Sequence, residues 1–259
     1  MPHGKINGIE LYYEVHGDGP ALVLAHGGGG NHLSWWQQVP AFSRDFRCIT
    51  FDHRGFGASE EAPGGPGPQA FVEDLRQLLD HLGIEQAVLA GQSMGGWTDL
   101  GFAAAFPARV RALILCDTTA GFDDPDVIRE YAEAFKNATR GSLAEILTRA
   151  YAADFPKREP MKHFLYQQIS GLNRHVPPTL IPSLTRMRHS PDPVITHRIP
   201  TLMIVGEEDA LAPPQVMELM ARRIAHARFV KIAGAGHSVY FEQPEKFNEV
   251  VLNFLRELP

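Results

Sequence analysis

The sequence predicts an α/β protein, a doubly wound, mostly parallel sheet with an inserted helical cap. Three observations lead there. Short, largely apolar runs recur at 21–25, 48–51, 87–90, 112–116, 201–205 and 228–232. Runs of that length and composition suit strands buried on both faces, as in a parallel sheet. Helical periods fall between several of them. One long stretch, 118–198, has no such run and carries helical periods punctuated by prolines instead.

Taken in order, the chain opens on a hairpin. Asn7-Gly8 is a two-residue turn signal, and Ile9, Leu11, Tyr13 and Val15 then alternate with Glu10, Tyr12 and Glu14, the pattern of a half-buried strand. The run 21–25 leads into His26-Gly27-Gly28-Gly29-Gly30. After 48–51 comes a low-complexity tract, 62–68, read as a surface loop. Phe71, Leu75, Leu78, Leu79 and Leu82 share one helical face, with Gly83 placed as a C-terminal cap. The run 112–116 ends at Asp117. Beyond it, Leu143, Ile146, Leu147, Ala150 and Tyr151 form one helical period, and Met161, Phe164, Leu165, Ile169 and Leu172 another. Pro156, Pro160, Pro177-Pro178, Pro191 and Pro193 interrupt them. Such an insertion would sit over the C-terminal edge of the sheet, where open α/β sheets bind ligands; the blander alternative is that it only adds core. The last helix starts near Pro244 and carries Phe247, Val250, Val251 and Phe254. The organisation expected is a core of 1–117 and 199–259 with a cap of 118–198.

Composition narrows the function classes. The chain has 259 residues, 44% hydrophobic and 21% charged, so it can bury roughly 70–75% of its unfolded surface without a disulfide or metal. A net charge of −6 and no basic stripe argue against nucleic acid. Cys48 and Cys116 lie in apolar runs and read as buried thiols in a reducing compartment. No run approaches the ~18–20 apolar residues of a membrane span, and the first residues, with Lys5, Glu10 and Glu14, lack the apolar segment of a signal peptide. A cytoplasmic location is expected. Twelve histidines raise the question of a metal, but neither H-E-x-x-H nor Cys/His ligand spacing occurs, so no metal and no cofactor is expected. A homo-oligomer is left open.

Four patterns carry chemistry. Gly91-Gln92-Ser93-Met94-Gly95-Gly96 matches G-x-S-x-G between an apolar strand and a helical period (Leu100, Ala103, Ala104), the context of a nucleophile at a strand-to-helix turn. Glycine-rich turns also join strands to helices with no catalytic role. Gly236-His237-Ser238 follows the run 228–232; serine needs an adjacent general base at neutral pH, and histidine suits that task. Asp209 follows the run 201–205 and supplies the carboxylate that orients the imidazole. Its alternatives are a solvated loop or helix-cap role, with adjacent Glu208, or Asp117 at the end of the preceding strand, as rival acids. The glycine run at 27–30 offers backbone N–H groups to an oxyanion. A dinucleotide or phosphate loop fits poorly, since no apolar helix opens behind it and the P-loop lysine is absent.

Together these patterns resemble the α/β-hydrolase superfamily over nearly the whole chain. Asp52-His53-Arg54-Gly55-Phe56-Gly57-Ala58-Ser59 is similar to a D-x-R-G-x-G-x-S turn common there, read as structural. The resemblance places the oxyanion donors at Gly28 and Met94 and a mobile cap at 118–198. It is nearest to small esterases and to the enol-lactonases of aromatic catabolism. Serine at 93 speaks against the haloalkane dehalogenases and epoxide hydrolases, which carry aspartate there. The function expected is hydrolysis of a small-molecule ester or lactone through an acyl-enzyme on Ser93. The alternatives are a carbon–carbon (1,5-diketone) hydrolase of the same fold and a ligand-sensing protein built on it. A nucleotide-binding oxidoreductase is weaker still. Gly29, Trp35, Trp36 and Trp97 are placed at the substrate, with plain packing an equal alternative for the tryptophans. Phe135, Tyr151, Met161, Phe164 and Tyr166 are the contribution expected from the cap.

Overall fold

A computed structural model describes residues 3–61, 64–138, 140 and 148–258. Its eight strands are β1 (His3–Ile6), β2 (Ile9–His16), β3 (Ala21–Ala25), β4 (Arg47–Phe51), β5 (Ala87–Gln92), β6 (Val110–Cys116), β7 (Thr201–Gly206) and β8 (Arg228–Ile232). They form one sheet in the order β1-β2-β4-β3-β5-β6-β7-β8. The first two pairings, β1 with β2 and β2 with β4, are antiparallel; every other pairing is parallel.

The runs at β3 to β7 are buried on both faces because their side chains alternate between two cores, whereas β8, at the edge of the sheet, leaves Arg228 and Lys231 exposed. Val23, Leu89, Leu113, Leu115, Met203 and Val205 point into one. Leu22, Leu24, Val88, Ala90, Ile114, Leu202 and Ile204 point into the other. Helices α1 (Phe71–His81) and α2 (Met94–Ala105) cover the first face through Leu75, Leu78, Leu79, Leu100 and Ala103. The C-terminal helix (Pro244–Arg256) covers the second through Phe247, Val251 and Phe254. The sheet is therefore doubly wound. Gly83 follows α1 at φ +65, the left-handed geometry of a helix C-terminus.

The parallel register aligns the strand ends that carry the chemistry. Ala25 pairs with Gly91, Gln92 with Cys116, Cys116 with Ile204, and Gly206 with Ile232. The loops after β3, β5, β6, β7 and β8 thus leave from one edge.

Several expectations change in detail. Tyr12 is buried rather than exposed, because the rings of His3 and His32 and the turn after β4 cover it. Its hydroxyl donates to Glu14 at 2.6 Å, and its N–H donates to Ser59 Oγ at 2.9 Å. The segment between β6 and β7 holds helices α3 (Pro125–Ala138), α4 (Pro160–Gly171), α5 (Leu180–Leu184) and α6 (Asp192–Thr196). Leu143, Ile146 and Leu147 of the first expected cap period lie outside the described residues. The second period splits. Ile169 is buried in α4, whereas Met161 and Phe164 are 84% and 63% exposed on its outer side. At the two ends of the segment, Val127 and Val194 join the core beneath α2. Among the described residues, no helix is long and apolar enough to cross a membrane, and Cys48 and Cys116 are both buried and free.

Candidate active site

The turn between β5 and α2 holds Ser93 at φ +49 and ψ −114. A non-glycine residue there costs on the order of 1–3 kcal/mol and persists only where its surroundings impose it. Here they do: its N–H donates to Cys116 O at 2.9 Å, and its carbonyl accepts from Gly96 N at 2.9 Å and from Thr118 Oγ1 at 2.7 Å. The flanking glycines are sterically required. A Cβ on Gly91 would lie 2.5 Å from the Gly95 carbonyl carbon, and one on Gly95 would lie 2.2 Å from Ala25 O.

His237 stands in the loop after β8. Its Nε2 is 2.8 Å from Ser93 Oγ, and its Nδ1 is 2.9 and 3.0 Å from the two oxygens of Asp209. An ionised carboxylate only accepts, so Nδ1 carries the proton and Nε2 is left to accept from the serine hydroxyl. Gln92 Nε2 donates to His237 O at 2.6 Å and fixes the loop from below. Burial penalises the imidazolium, but the carboxylates of Asp209, Asp117 and Glu242 outweigh that penalty and raise the His237 pKa above its ordinary value.

The two expected roles of Asp209 coexist. Its Oδ1 caps the turn after β7 by accepting from Leu211 N at 2.8 Å and Ala212 N at 2.9 Å, while both oxygens face the histidine. The rivals are disposed of by geometry. Glu208 is exposed. Asp117 is buried, and its oxygens accept from Gly206 N and Val239 N at 2.9 Å each, so it braces the loops of Asp209 and His237 without bonding to His237. Burial and the nearby Asp209 push its pKa up to about 8.

Gly28 and Gly29 border the cavity beside Ser93, and Met94 opens α2 immediately behind it. The glycine loop rests on a buried histidine pair. His26 Nδ1 donates to Gly27 O at 2.8 Å, and its Nε2 accepts from His53 N at 3.0 Å. Burial lowers His26 to about 4, which keeps the pair neutral. The 52–59 turn serves architecture: Asp52 accepts from His32 N and Ala58 N, and Arg54 forms a two-pronged pair with Asp74.

Ser93 opens into a cavity of about 820 Å³ whose walls include Trp97, Tyr131, Phe135, Ile181, Leu184 and Leu211. Tyr151 and Tyr166 also border it, whereas Met161 and Phe164 do not. Trp35 is not a cavity residue either. Its ring is buried in the core against Tyr240 and Phe247, at 4.6 and 6.4 Å between centroids. Trp36 is a half-exposed neighbour of Phe241. The sequence reading missed Tyr131, Thr118 and the brace made by Asp117; no local motif marks them, because each depends on the packing of distant segments.

Several known proteins are similar to this chain over almost its whole length. The model of a family described as the alpha/beta hydrolase family matches residues 22–250. A putative carbamate hydrolase, RutD, of Azorhizobium caulinodans is 29% identical, covering 100% of this chain and 99% of that protein. A thermophilic esterase from Thermogutta terrifontis superposes with a TM-score of 0.82 at 32% identity, over 100% of this chain and 99% of the other. An enol-lactonase from Burkholderia xenovorans superposes with a TM-score of 0.81 at 30% identity, over 99% of this chain and 100% of the other.

Proposed function

This chain belongs to the alpha/beta hydrolase family, and from that premise we propose that it hydrolyses uncharged carboxylic esters or lactones through an acyl-enzyme on Ser93. The observation that carries the reading is the unbroken relay of Ser93, His237 and Asp209 at contacts of 2.8–3.0 Å on the rim of the cavity.

The chemistry follows from the contacts. Ser93 Oγ attacks the substrate carbonyl while His237 Nε2 takes its proton. Negative charge gathers on the carbonyl oxygen, for which the N–H groups of Gly28 and Met94 are the proposed donors. Met94 also sits at the positive end of the α2 dipole. Losing one such donor typically costs ~2.7–4 kcal/mol of barrier. His237 returns the proton to the departing alkoxide, then takes one from water as it attacks the acyl carbon, and gives that proton to Ser93 Oγ as the C–O bond breaks and the acid is released.

The walls support a neutral substrate. The described residues around the cavity include no lysine and no arginine, so nothing there pairs with an anionic acyl group. Its one carboxyl, Asp117, has both oxygens already occupied. The similar proteins are named for a carbamate, for an enol-lactone and for esters. The neutral lining favours the uncharged members of these classes.

The test is fluorophosphonate labelling followed by mass spectrometry of the modified peptide, with rates on a series of neutral esters and lactones. Labelling at Ser93 and loss of hydrolysis in a folded Ser93→Ala variant are expected. Full activity in that variant would overturn the reading.

A further inference from the structure

Five residues beyond His237, Glu242 closes the short helical turn Val239–Glu242 and is buried. Its Oε1 accepts from Gly236 N at 2.9 Å and lies 3.4 Å from Ser238 N, the two residues that flank His237. Its Oε2 accepts from Ala152 N at 2.9 Å, in the inserted segment. The residues just before Ala152, Ala150 and Tyr151, border the cavity. Further bonds run along the same seam: Ser238 Oγ donates to Ala150 O at 2.6 Å, and Arg158 donates to Gly234 O at 2.8 Å.

The ion pair of this carboxylate is a long one. The Arg158 guanidinium is 4.0 Å away, and a buried carboxyl with no close cation is costly to keep charged. Burial lifts its pKa to about 7 even though backbone N–H groups stabilise the charge. What it supplies is two acceptor oxygens, one towards the histidine loop and one towards the inserted segment.

We propose that Glu242 is a positioning residue for acyl transfer, locking the loop of His237 and cap residues 150–152 into one unit so that the general base and a wall of the cavity are set together. The proposal rests on the serine-hydrolase reading above. It has two separable consequences. Breaking the seam displaces the base, and a misplacement of 1 Å costs on the order of 100-fold. Removing the charge also removes a stabiliser of the His237 imidazolium, on which Asp209, Asp117 and Glu242 all act. The other groups that face Glu242 are Arg158 and the hydroxyls of Tyr151 and Tyr166.

Two variants separate these effects. Glu242→Gln keeps the size but offers one acceptor and sets an N–H₂ against an N–H. Glu242→Asp keeps the charge but is one methylene too short to span both sides. The readouts are the rate of fluorophosphonate labelling at Ser93, kcat and KM on a neutral p-nitrophenyl ester, the acid limb of kcat/KM, and far-UV circular dichroism. Both variants should label and turn over about tenfold more slowly or worse, with little change in KM, a fraction of the full misplacement cost. The acid limb should move to lower pH in Glu242→Gln and stay in place in Glu242→Asp. Should Glu242→Gln fail to fold, the labelling rate and kcat of Glu242→Asp decide. Folded variants that label at the wild-type rate with an unmoved acid limb, and differ only in melting temperature, would overturn the proposal and leave the serine-hydrolase reading intact. A wild-type protein that does not label at all would remove that reading, and this proposal with it.

Discussion

Asp209→Asn should abolish most of the activity while leaving the fold in place. Oδ1 of Asp209 accepts from the N–H groups of Leu211 and Ala212 at 2.8 and 2.9 Å. In the variant these donors hold the amide oxygen in that position. The opposite flip would set an N–H₂ against two N–H donors and leave them unpaired, at about 1–3 kcal/mol each. The amide nitrogen therefore takes the place of Oδ2, 2.9 Å from His237 Nδ1. The amide N–H there opposes a protonated Nδ1, which keeps only the amide oxygen at 3.0 Å, already accepting from two N–H groups, so the balance shifts to the tautomer with the proton on Nε2. His237 then donates to Ser93 Oγ instead of accepting from it, and the general base is lost. A trapped wrong tautomer costs on the order of 10⁴ in kcat, or about 5.4 kcal/mol at 1.36 kcal/mol per decade. Asp117→Asn is the control. Asp117 serves Gly206 N and Val239 N and makes no bond to His237, so its loss should reduce stability by about 1–3 kcal/mol and kcat far less than Asp209→Asn does. The assay is kcat on a neutral p-nitrophenyl ester, normalised to folded protein. An Asp209→Asn variant retaining most of its activity, or an Asp117→Asn variant falling equally far, would refute the assignment of the acid.

Three further outcomes are expected. The acid limb of kcat/KM should have its midpoint above the ~6.5 of an ordinary histidine, because the surrounding carboxylates raise the pKa of His237 and its base form is lost at a correspondingly higher pH; a pH–rate profile with a midpoint below that value counts against the relay. Asp99 is buried, neither of its oxygens has a hydrogen-bond partner among the described residues, and burial alone raises its pKa well above 3.8. The folded state thus holds a proton that the unfolded chain has released, so stability should fall as pH rises from about 3.8 towards the raised folded value, with Asp117 and Glu242 acting in the same direction. Urea unfolding of Asp99→Ala should show a shallower fall between acid and neutral pH than the wild type, and identical slopes would discard the idea. Finally, Trp35→Ala should cost ~3–5 kcal/mol of stability and leave KM unchanged, whereas Trp97→Ala should raise KM for the bulkier esters; a KM effect at Trp35 would return that ring to the binding site.

The sheet and the relay were legible in the sequence for a common reason. Strands buried on both faces have to be apolar throughout, so the runs that form β3 to β7 stand out without any tertiary knowledge. A parallel sheet then brings the residues just beyond several runs to one edge, and Ser93, Asp209 and His237 occupy such positions. Tyr12 departs from its alternating pattern because a turn 40 residues later covers it, which no local period encodes. Trp35 stands close in sequence to the glycine loop, yet its indole turns inward to Tyr240 and Phe247. Proximity along the chain does not specify which side of a loop a ring will face.

The segment between β6 and β7 was harder to read because α4 has no uniform buried face. A helix lying on a core shows one apolar stripe at a period of 3.6, as α1 does with Phe71, Leu75, Leu78 and Leu79. Helix α4 instead divides its apolar residues: Ile169 turns inward, Tyr166 faces the cavity, and Met161 and Phe164 face outward. A segment that must meet a core, a cavity and solvent at once carries three overlapping patterns, and their sum has no clean period. What fixes it in place is a set of polar contacts to particular backbone groups. Asn173 Nδ2 donates to Gly30 O, Asn31 Nδ2 to Ile169 O, and Ala152 N to Glu242. Two of these contacts reach the glycine loop and the third reaches the loop of His237, so the parts of the cap hardest to infer from sequence are tied to the parts of the site easiest to find. Substitutions along that seam should therefore lower kcat, whereas substitutions at Met161 or Phe164 should leave it unchanged.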